Sequence, residues 1–234
     1  MNINYYLSIN HYLNIIYYIH NIMNVCILMP TTIHVDNNCS LYKNNQLTSN
    51  NIRIKQYIDG IQQVRNLNPD IEIYISDNSN YLNKESELLN IINENNIKII
   101  MNAPNNFGHI NKGSGLIENW IHNNDIIKKY DYIIHFEPRQ LLQSNQFIDN
   151  FLKNPRNLFT LGSDKKHFNT GLFCIKSDVL LQFIKLIQPH ILIKNNYSIE
   201  NIIYNYIIGN KISYNLLDKM DLIWYFPNHP PVYH

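Results

Sequence analysis

Residues 97–136 read IKIIMNAPNNFGHINKGSGLIENWIHNNDIIKKYDYIIHF and contain the pattern that decides the fold. A short apolar run at 97–101 is followed by a glycine-containing loop, a helical pattern from about 116 to 128, and a second apolar run at 131–136. Short apolar runs that alternate with helical patterns are typical of βαβ units, whose strands are parallel. This stretch therefore predicts one strand–helix–strand unit of a mostly parallel sheet.

The same alternation extends towards the N-terminus. Apolar runs occur at 25–29, which Pro30 ends, and at 71–76, which the turn-forming residues 77–79 close. Between them, residues 54–67 repeat apolar side chains at spacings of three and four, as an amphipathic helix does. With right-handed crossovers, these units predict an α/β, Rossmann-like fold whose mostly parallel central sheet has helices on both faces.

The second half of the chain has a different pattern. Helices are expected at 145–152, 179–187 and 198–208, and strands at 158–161 and 171–176. Because no linker rich in Pro, Gly or Ser divides the chain, we expect a single domain over residues 23–234. Its nucleotide-binding half covers about 23–140, and its smaller acceptor half covers about 141–234.

Residues 1–22 contain no Lys, Arg, Asp or Glu. Asn and His side chains interrupt their apolar residues, so they match neither a signal peptide nor a membrane-spanning helix. We interpret them as an N-terminal extension that is dispensable for the domain. A helix lying on a membrane surface is the alternative, and membrane contact through this segment is not favoured.

Composition excludes some partners and compartments. The formal net charge is only +1, and 16% of the residues are charged, so the chain lacks the excess of basic residues that is typical of nucleic-acid-binding proteins. Cys26, Cys39 and Cys174 form no C-x-x-C pair, and two of them lie in apolar runs. Such cysteines are typical of small buried side chains in a reducing compartment, so a cytoplasmic location is expected.

Polar residues gather where the predicted strands end. Ligands bind beyond the carboxyl ends of the strands in open parallel sheets, so these positions are candidate ligand contacts. They are Thr31, Thr32, Asp77, Asn78, Glu137 and Arg139. The loop before the third helix adds Lys112 and Gly113, where backbone N–H groups could approach an anion at a helix N-terminus.

These motifs resemble the GT-A fold of nucleotide-sugar glycosyltransferases, loosely the family-two enzymes, over about residues 24–210. The resemblance is carried by PTT at 30–32, DNS at 77–79, the NFGHINKGSG loop at 106–115, FEPR at 136–139, NTGLFCI at 169–175 and SIE at 198–200. It implies transfer of a sugar from a nucleotide-sugar donor to a hydroxyl of a glycan, lipid or protein acceptor, with inversion. It also implies that Asp77 contacts the nucleotide base.

The chain departs from that family at its metal-binding motif. The resemblance places an Asp-x-Asp pair, which holds a divalent metal on the sugar diphosphate, where this chain has Glu137-Pro138-Arg139. Glu137 could still ligate Mg²⁺ or Mn²⁺ through oxygen. Alternatively, the forked guanidinium of Arg139 could itself neutralise the departing diphosphate. A weakened or absent metal site is slightly favoured.

The acceptor hydroxyl needs a general base. The resemblance points to Glu200, at the start of a helix, and Asp164 is the competing candidate. Asn169 and Gly171 form a turn that could line the donor-sugar pocket. A catalytically inactive domain that binds nucleotide-sugars is the alternative function. A nucleotidyltransferase is ranked lower, because Lys43 is the only cation of the 30–45 loop.

Overall fold

The computed structural model describes residues 23–35, 49–79, 81–82, 86–225 and 231–233. The expectations for residues 1–22 and for Cys39 lie outside these ranges. In the described part of the chain, no helix is both long enough and apolar enough to cross a membrane.

Strands and helices alternate through the first half, as the apolar runs predict. The strands are β1 (Val25–Thr31), β2 (Glu72–Asp77), β3 (Lys98–Ile100), β4 (Tyr132–Phe136), β5 (Leu141–Leu142), β6 (Leu158–Thr160), β7 (Leu172–Lys176), β8 (Asn215–Leu217), β9 (Leu222–Trp224) and β10 (Val232–Tyr233). The helices are α1 (Asn50–Leu67), α2 (Ser86–Glu94), α3 (Lys112–His122), α4 (Asn124–Ile127), α5 (Gln146–Lys153), α6 (Ser177–Leu186), α7 (Pro189–Asn195) and α8 (Ile199–Gly209).

The central sheet has seven strands in the order β3-β2-β1-β4-β7-β6-β8. Strands β1 to β4 pair in parallel, and β7 runs antiparallel to both of its neighbours. This confirms the mixed α/β, Rossmann-like architecture with a mostly parallel sheet. The carboxyl ends of β1, β2, β4 and β6 therefore lie at one edge, together with the start of β7.

The sheet is buried on both faces. Alternating side chains of β1 enter two different cores, with Ile27 and Met29 in one and Cys26 and Leu28 in the other. The first core includes residues of α1 and α2, and the second includes Trp120 of α3 and residues of α6 and α8. Burial on both faces explains why these strands are continuous apolar runs rather than alternating ones.

Four features of the fold differ from the sequence predictions, namely the start of α3, the second sheet, helix α7 and strand β8. Helix α3 begins at Lys112 rather than near 116, because the side chain of Asn111 accepts a hydrogen bond from the backbone N–H of Ser114 at 3.0 Å and caps the helix. A second, antiparallel sheet of order β10-β9-β5 was not predicted. Its strands contain only two or three residues each, too few for a periodic pattern.

Candidate functional site

The segments that follow β1 and β2 are joined side by side at the carboxyl edge of the sheet. The N–H of Asn78 donates to the carbonyl oxygen of Thr31 at 3.0 Å. The hydroxyl of Thr32 donates to Oδ1 of Asn78 at 2.7 Å. The structure therefore brings together Thr31, Thr32, Asp77 and Asn78, as the strand-end argument predicts.

The carboxylate of Asp77 lies at the centre of this junction and is only 2% exposed. Its Oδ1 accepts hydrogen bonds from the Thr31 hydroxyl at 3.3 Å and from the Ile33 N–H at 3.1 Å. Its Oδ2 accepts from the Ser79 hydroxyl at 2.8 Å and from the Tyr81 N–H at 3.4 Å. A carboxylate offers about four acceptor positions, so protein donors occupy those of Asp77. The base-contacting role that the resemblance implies for Asp77 stays a prediction.

Arg53 of α1 is a buried cation beneath this junction that the sequence did not reveal. It is 3% exposed, and its Nη2 donates to the carbonyl oxygen of Thr32. The hydroxyl of Tyr57 donates to the same carbonyl oxygen at 3.1 Å. Burial is the largest influence on Arg53 and lowers its pKa to about 10, so it remains protonated at neutral pH. In the sequence, Arg53 occupies an ordinary polar position of an amphipathic helix, which gives no signal of burial.

The turn formed by Glu137, Pro138 and Arg139 is fixed from two sides. The N–H of Glu137 donates to the carbonyl oxygen of Gly171 at 2.9 Å, which ties the turn to the start of β7. On the other side, α1 approaches through Gly60, where an added Cβ would clash with the carbonyl oxygen of Pro138. The absence of a side chain at position 60 therefore lets the helix pack directly on the backbone of this turn.

Five charged residues from four separate segments influence one another at this edge, and we call them the charged cluster. They are Arg53, Lys112, Glu137, Arg139 and Glu200. Burial raises the pKa of Glu137, and the nearby Glu200 raises it further, whereas Arg139 and Lys112 oppose this rise. Loss of water around its ammonium is the largest influence on Lys112 and lowers its pKa, and the neighbouring Arg139 lowers it further. The structure thus brings together four of the predicted residues and adds Arg53.

Helices α3 and α8 bring Lys112 and Glu200 together. A Cβ at Gly113 would lie 2.8 Å from the Cβ of Ile199 and 2.9 Å from Cδ2 of Leu192, so only glycine permits this contact between the two helix starts. Gly113 lies in the first turn of α3 and also has a packing role, so the expected approach of its N–H to an anion at this helix N-terminus is not tested. Its contact with the donor remains a prediction.

The turn between β6 and β7 carries the next group of predicted residues. The hydroxyl of Thr170 donates to Oε1 of Glu200 at 3.1 Å, so this turn contacts the charged cluster. The amide of Asn169 donates to the Thr160 hydroxyl and to the carbonyl oxygen of Leu161, both at 3.0 Å. Asn169 therefore shapes the turn, and its predicted contact with the sugar remains open.

Asp164 lies in an exposed loop with partners of its own. Its Oδ1 is 2.9 Å from Nδ1 of His167 and accepts a hydrogen bond from the Lys166 N–H at 2.8 Å. The Lys166 backbone bond is the main influence on this group and lowers the pKa of Asp164. Among the described residues, the hydrogen-bond and ion-pair partners of this carboxylate are Lys166 and His167 of its own loop, so the structure does not join Asp164 to the charged cluster.

For the divalent metal that the resemblance implies, the turn at 137–139 offers one carboxylate, that of Glu137. The described residues contain no group of three or more His, Cys, Asp or Glu side chains that could hold a metal ion. The charges of Arg139 and Lys112 act directly on Glu137, the predicted ligand. Because these cations already oppose the charge of that carboxylate, no step is assigned to Mg²⁺ or Mn²⁺.

Comparisons with known proteins support the same fold. A cytidylyltransferase from Leptospira borgpetersenii superposes with a TM-score of 0.52 at 12% identity, over 84% of this chain and 76% of its own. The fold is shared with nucleotide-handling transferases. A putative nucleotide-diphospho-sugar transferase from Desulfovibrio desulfuricans gives a TM-score of 0.51 at 10% identity, over 83% and 79% of the two chains. No protein-family model and no curated protein matches the sequence.

Proposed function

We propose that this protein binds a nucleotide-sugar at the carboxyl edge of the sheet and transfers the sugar to an acceptor hydroxyl. The observation that carries the proposal is the meeting of the Glu137 turn, the start of β7 and the start of α8, through the Glu137 N–H bond to Gly171 at 2.9 Å and the Thr170 hydroxyl bond to Glu200 at 3.1 Å. The positive charges of Arg139 and Lys112 lower the pKa of Glu137 there, against the rise caused by burial. This edge of a doubly wound sheet is where ligands of such folds bind.

The cations of the charged cluster match the chemistry of the leaving group. When the bond between the sugar and the nucleoside diphosphate breaks, negative charge grows on the diphosphate. Groups that stabilise this charge more in the transition state than in the ground state accelerate transfer. Arg139 can hold two phosphate oxygens with its planar fork, and Lys112 acts as a point charge. Arg53 is held by its hydrogen bond to the Thr32 carbonyl oxygen, and its fixed positive charge adds to the charges of Arg139 and Lys112 in stabilising the diphosphate.

Glu200 is our proposed general base. Its carboxylate belongs to the charged cluster, and the Thr170 hydroxyl holds one of its oxygens at 3.1 Å. A base must lie near the bound donor to accept the proton of the acceptor hydroxyl as that oxygen attacks the anomeric carbon. Attack from the face opposite the diphosphate would invert the configuration of the sugar. Asp164 fits this role less well, because its carboxylate pairs with His167 in an exposed loop.

Two other functions lead to different expectations. A domain that binds nucleotide-sugars without catalysis is suggested by the replacement of Asp-x-Asp with Glu137-Pro138-Arg139. Nucleotidyl transfer is suggested by the named activity of the Leptospira protein of similar fold. Against it, the segment from β1 to the start of α1 contains no glycine, so it lacks a glycine-rich loop that could cradle the phosphates of a nucleoside triphosphate.

The test is a panel of UDP-, GDP-, CMP- and dTDP-sugars. We expect at least one to raise the melting temperature and to release free nucleotide when incubated with the enzyme and a mixture of sugar acceptors. Arg139→Ala should lower the release rate by about 100-fold, the usual effect of removing one group that stabilises transition-state charge. Lys185→Ala, which removes an exposed cation on α6, is the matched control and should leave the rate unchanged.

Each alternative has its own outcome in this test. Stabilisation without nucleotide release would support the binding domain. Release of pyrophosphate from a nucleoside triphosphate in the presence of a sugar phosphate would support nucleotidyl transfer. If the folded protein is stabilised by none of the donors, the proposal is wrong.

A further inference from the structure

Glu118 is a buried carboxylate of α3 that the proposed mechanism does not use. It lies in the second turn of the helix, is only 6% exposed, and contacts the loop that precedes α3. Its Oε1 accepts hydrogen bonds from the N–H and from Nδ2 of Asn106, at 3.2 and 2.9 Å, and its Oε2 accepts from the N–H of Phe107 at 2.9 Å. A buried carboxylate is costly unless donors such as these satisfy it, so the three bonds fix the loop against the helix.

The charge of Glu118 matters for this contact, because N–H donors reach both of its oxygens. A glutamine has one acceptor oxygen, and its NH₂ group would face a donor of either Asn106 or Phe107. One donor would then lose its partner, which costs more than replacing both partners by apolar groups. A carboxylate at position 118 is therefore needed to hold both loop residues at once.

The contacts continue from Phe107 to the start of α3. The carbonyl oxygen of Phe107 accepts a hydrogen bond from the N–H of Asn111 at 3.0 Å. Asn111 caps α3 through its bond from the Ser114 N–H, and its Nδ2 donates to the carbonyl oxygen of Tyr197, just before α8, at 3.2 Å. Because Lys112 follows Asn111 directly, the backbone of Lys112 is held at the end of this chain of hydrogen bonds.

We propose that Glu118 is a positioning residue for Lys112 in sugar transfer. It acts through the loop and the cap at Asn111 rather than by contact with the donor. The inference rests on the proposed function, in which Lys112 is a point charge on the departing diphosphate. A cation stabilises transition-state charge best when the protein holds it in place beforehand, and a displacement of about 1 Å can cost about 100-fold in rate.

Positioning predicts that the effects of Glu118 and Lys112 on the rate are not additive. If Glu118 acts through Lys112, its replacement slows transfer only while Lys112 is present. A general disturbance of the fold would instead slow the Lys112→Ala protein by the same factor as the unmodified protein. Comparing the two backgrounds therefore separates a positioning role from a merely structural one.

The experiment measures kcat and KM for nucleotide release by the full chain from UDP-, GDP-, CMP- and dTDP-sugars. Glu118→Gln should lower kcat by about tenfold or more with little change in KM, because Lys112 stabilises charge that grows in the transition state. In the Lys112→Ala background, the same substitution should change kcat by less than about twofold.

Glu72→Gln is the matched control. Glu72 is also a carboxylate with partners, Lys98 and Tyr130, but it lies at the start of β2, at the opposite edge of the sheet. The same change from carboxylate to amide should therefore leave kcat and KM unchanged. Circular dichroism of each variant measures whether it is folded.

Asn106→Ala is a second and milder variant. Asn106 is exposed, so loss of its amide removes one bond to Glu118 with little effect on folding. It should lower kcat less than Glu118→Gln does, and again only while Lys112 is present. Where Glu118→Gln does not fold, unchanged kcat in Asn106→Ala would overturn the inference.

The remaining outcomes distinguish this inference from the proposed function. Unchanged kcat in folded Glu118→Gln, or an equal loss with and without Lys112, would show that Glu118 does not position Lys112, while the proposed function stands. If the unmodified protein releases nucleotide from none of the donors, the proposed function and this inference both fail.

Discussion

The hydroxyl of Thr170 donates a hydrogen bond to Oε1 of Glu200 at 3.1 Å, although the two residues are 30 positions apart. Thr170 lies just before β7, and Glu200 lies in the first turn of α8. The bond therefore joins the sheet edge to the helix that carries the proposed base. It fixes one carboxylate oxygen beside the charged cluster.

The first prediction concerns this base. Glu200→Gln preserves the shape of the side chain but removes its ability to accept a proton, so the sugar-transfer rate should fall by about 100-fold or more. Donor affinity, measured by titration, should change little. Asp164→Asn is the matched variant of the competing carboxylate and should retain nearly full activity. The reverse pattern, with activity lost in Asp164→Asn and kept in Glu200→Gln, would assign the base to Asp164.

The second prediction concerns metal dependence. Because Lys112 and Arg139 already supply positive charge at Glu137, nucleotide release should continue in the presence of EDTA, and added Mn²⁺ should not increase it. The measurement is the initial rate with and without chelator at constant ionic strength. Loss of turnover in EDTA, with recovery on adding Mn²⁺, would show that a metal supplies this charge instead.

The third prediction tests the contact between α1 and the turn at Glu137. A Cβ at position 60 would clash with the Pro138 carbonyl oxygen, so Gly60→Ala should destabilise the protein by about 1–3 kcal/mol despite the better helix propensity of alanine. Thermal or urea unfolding measures this change. Gly209→Ala, in α8, is the matched control, because a Cβ there meets nothing within 4 Å and should be neutral or slightly stabilising. Equal stability of the two variants would contradict the close packing.

The fourth prediction follows from His135 in β4, which is fully buried between the rings of Trp120 and Phe173. Burial lowers its pKa from 6.5 to about 3. Between these values the unfolded chain binds a proton that the folded protein does not bind. His135 therefore makes the folded state less stable as pH falls below 6.5, by about 1.4 kcal/mol for each pH unit until the folded-state pKa is reached.

Urea unfolding at several pH values between 4 and 7 measures this slope. His135→Phe removes the titrating group while keeping an aromatic side chain, so its stability should depend less steeply on pH than that of the unmodified protein. Parallel stability curves for the two proteins would show that His135 does not cause the acid sensitivity.

The sequence predicted those parts of the fold that local pattern determines. The first four strands are apolar runs because the sheet is buried on both faces, and α1 shows helical spacing because only one of its faces is buried. The antiparallel direction of β7 was not predictable, because an apolar strand does not encode its direction. Strands β5 and β9 were not predicted. They contain two and three residues, too few for a hydrophobic pattern, and they are recognisable as strands through their pairing with each other.

The sequence likewise predicted some residues of the candidate site and missed others. Polar residues at strand ends predicted Glu137 and Arg139, because topology alone places those ends at one edge, and the glycine-containing loop before α3 predicted Lys112. Arg53 was missed, since its burial and contacts depend on how the loops fold over the edge. The sequence also did not reveal that protein donors occupy the acceptor positions of the Asp77 carboxylate. These donors are backbone N–H and hydroxyl groups, which leave no recognisable pattern in the sequence.

The pairing of β5 with β9 has a consequence for the order of assembly. Leu141 and Leu142 follow the turn at Glu137 directly, and they pair with residues 222–223, near the far end of the chain. The Tyr225 N–H also donates to Oε1 of Gln140 at 3.2 Å. During translation, the segment after the turn has no strand partner until residues 222–225 have left the ribosome. A nascent polypeptide can thus form β1 to β4 early, whereas the segment after the Glu137 turn gains its strand partner only after synthesis has passed Tyr225.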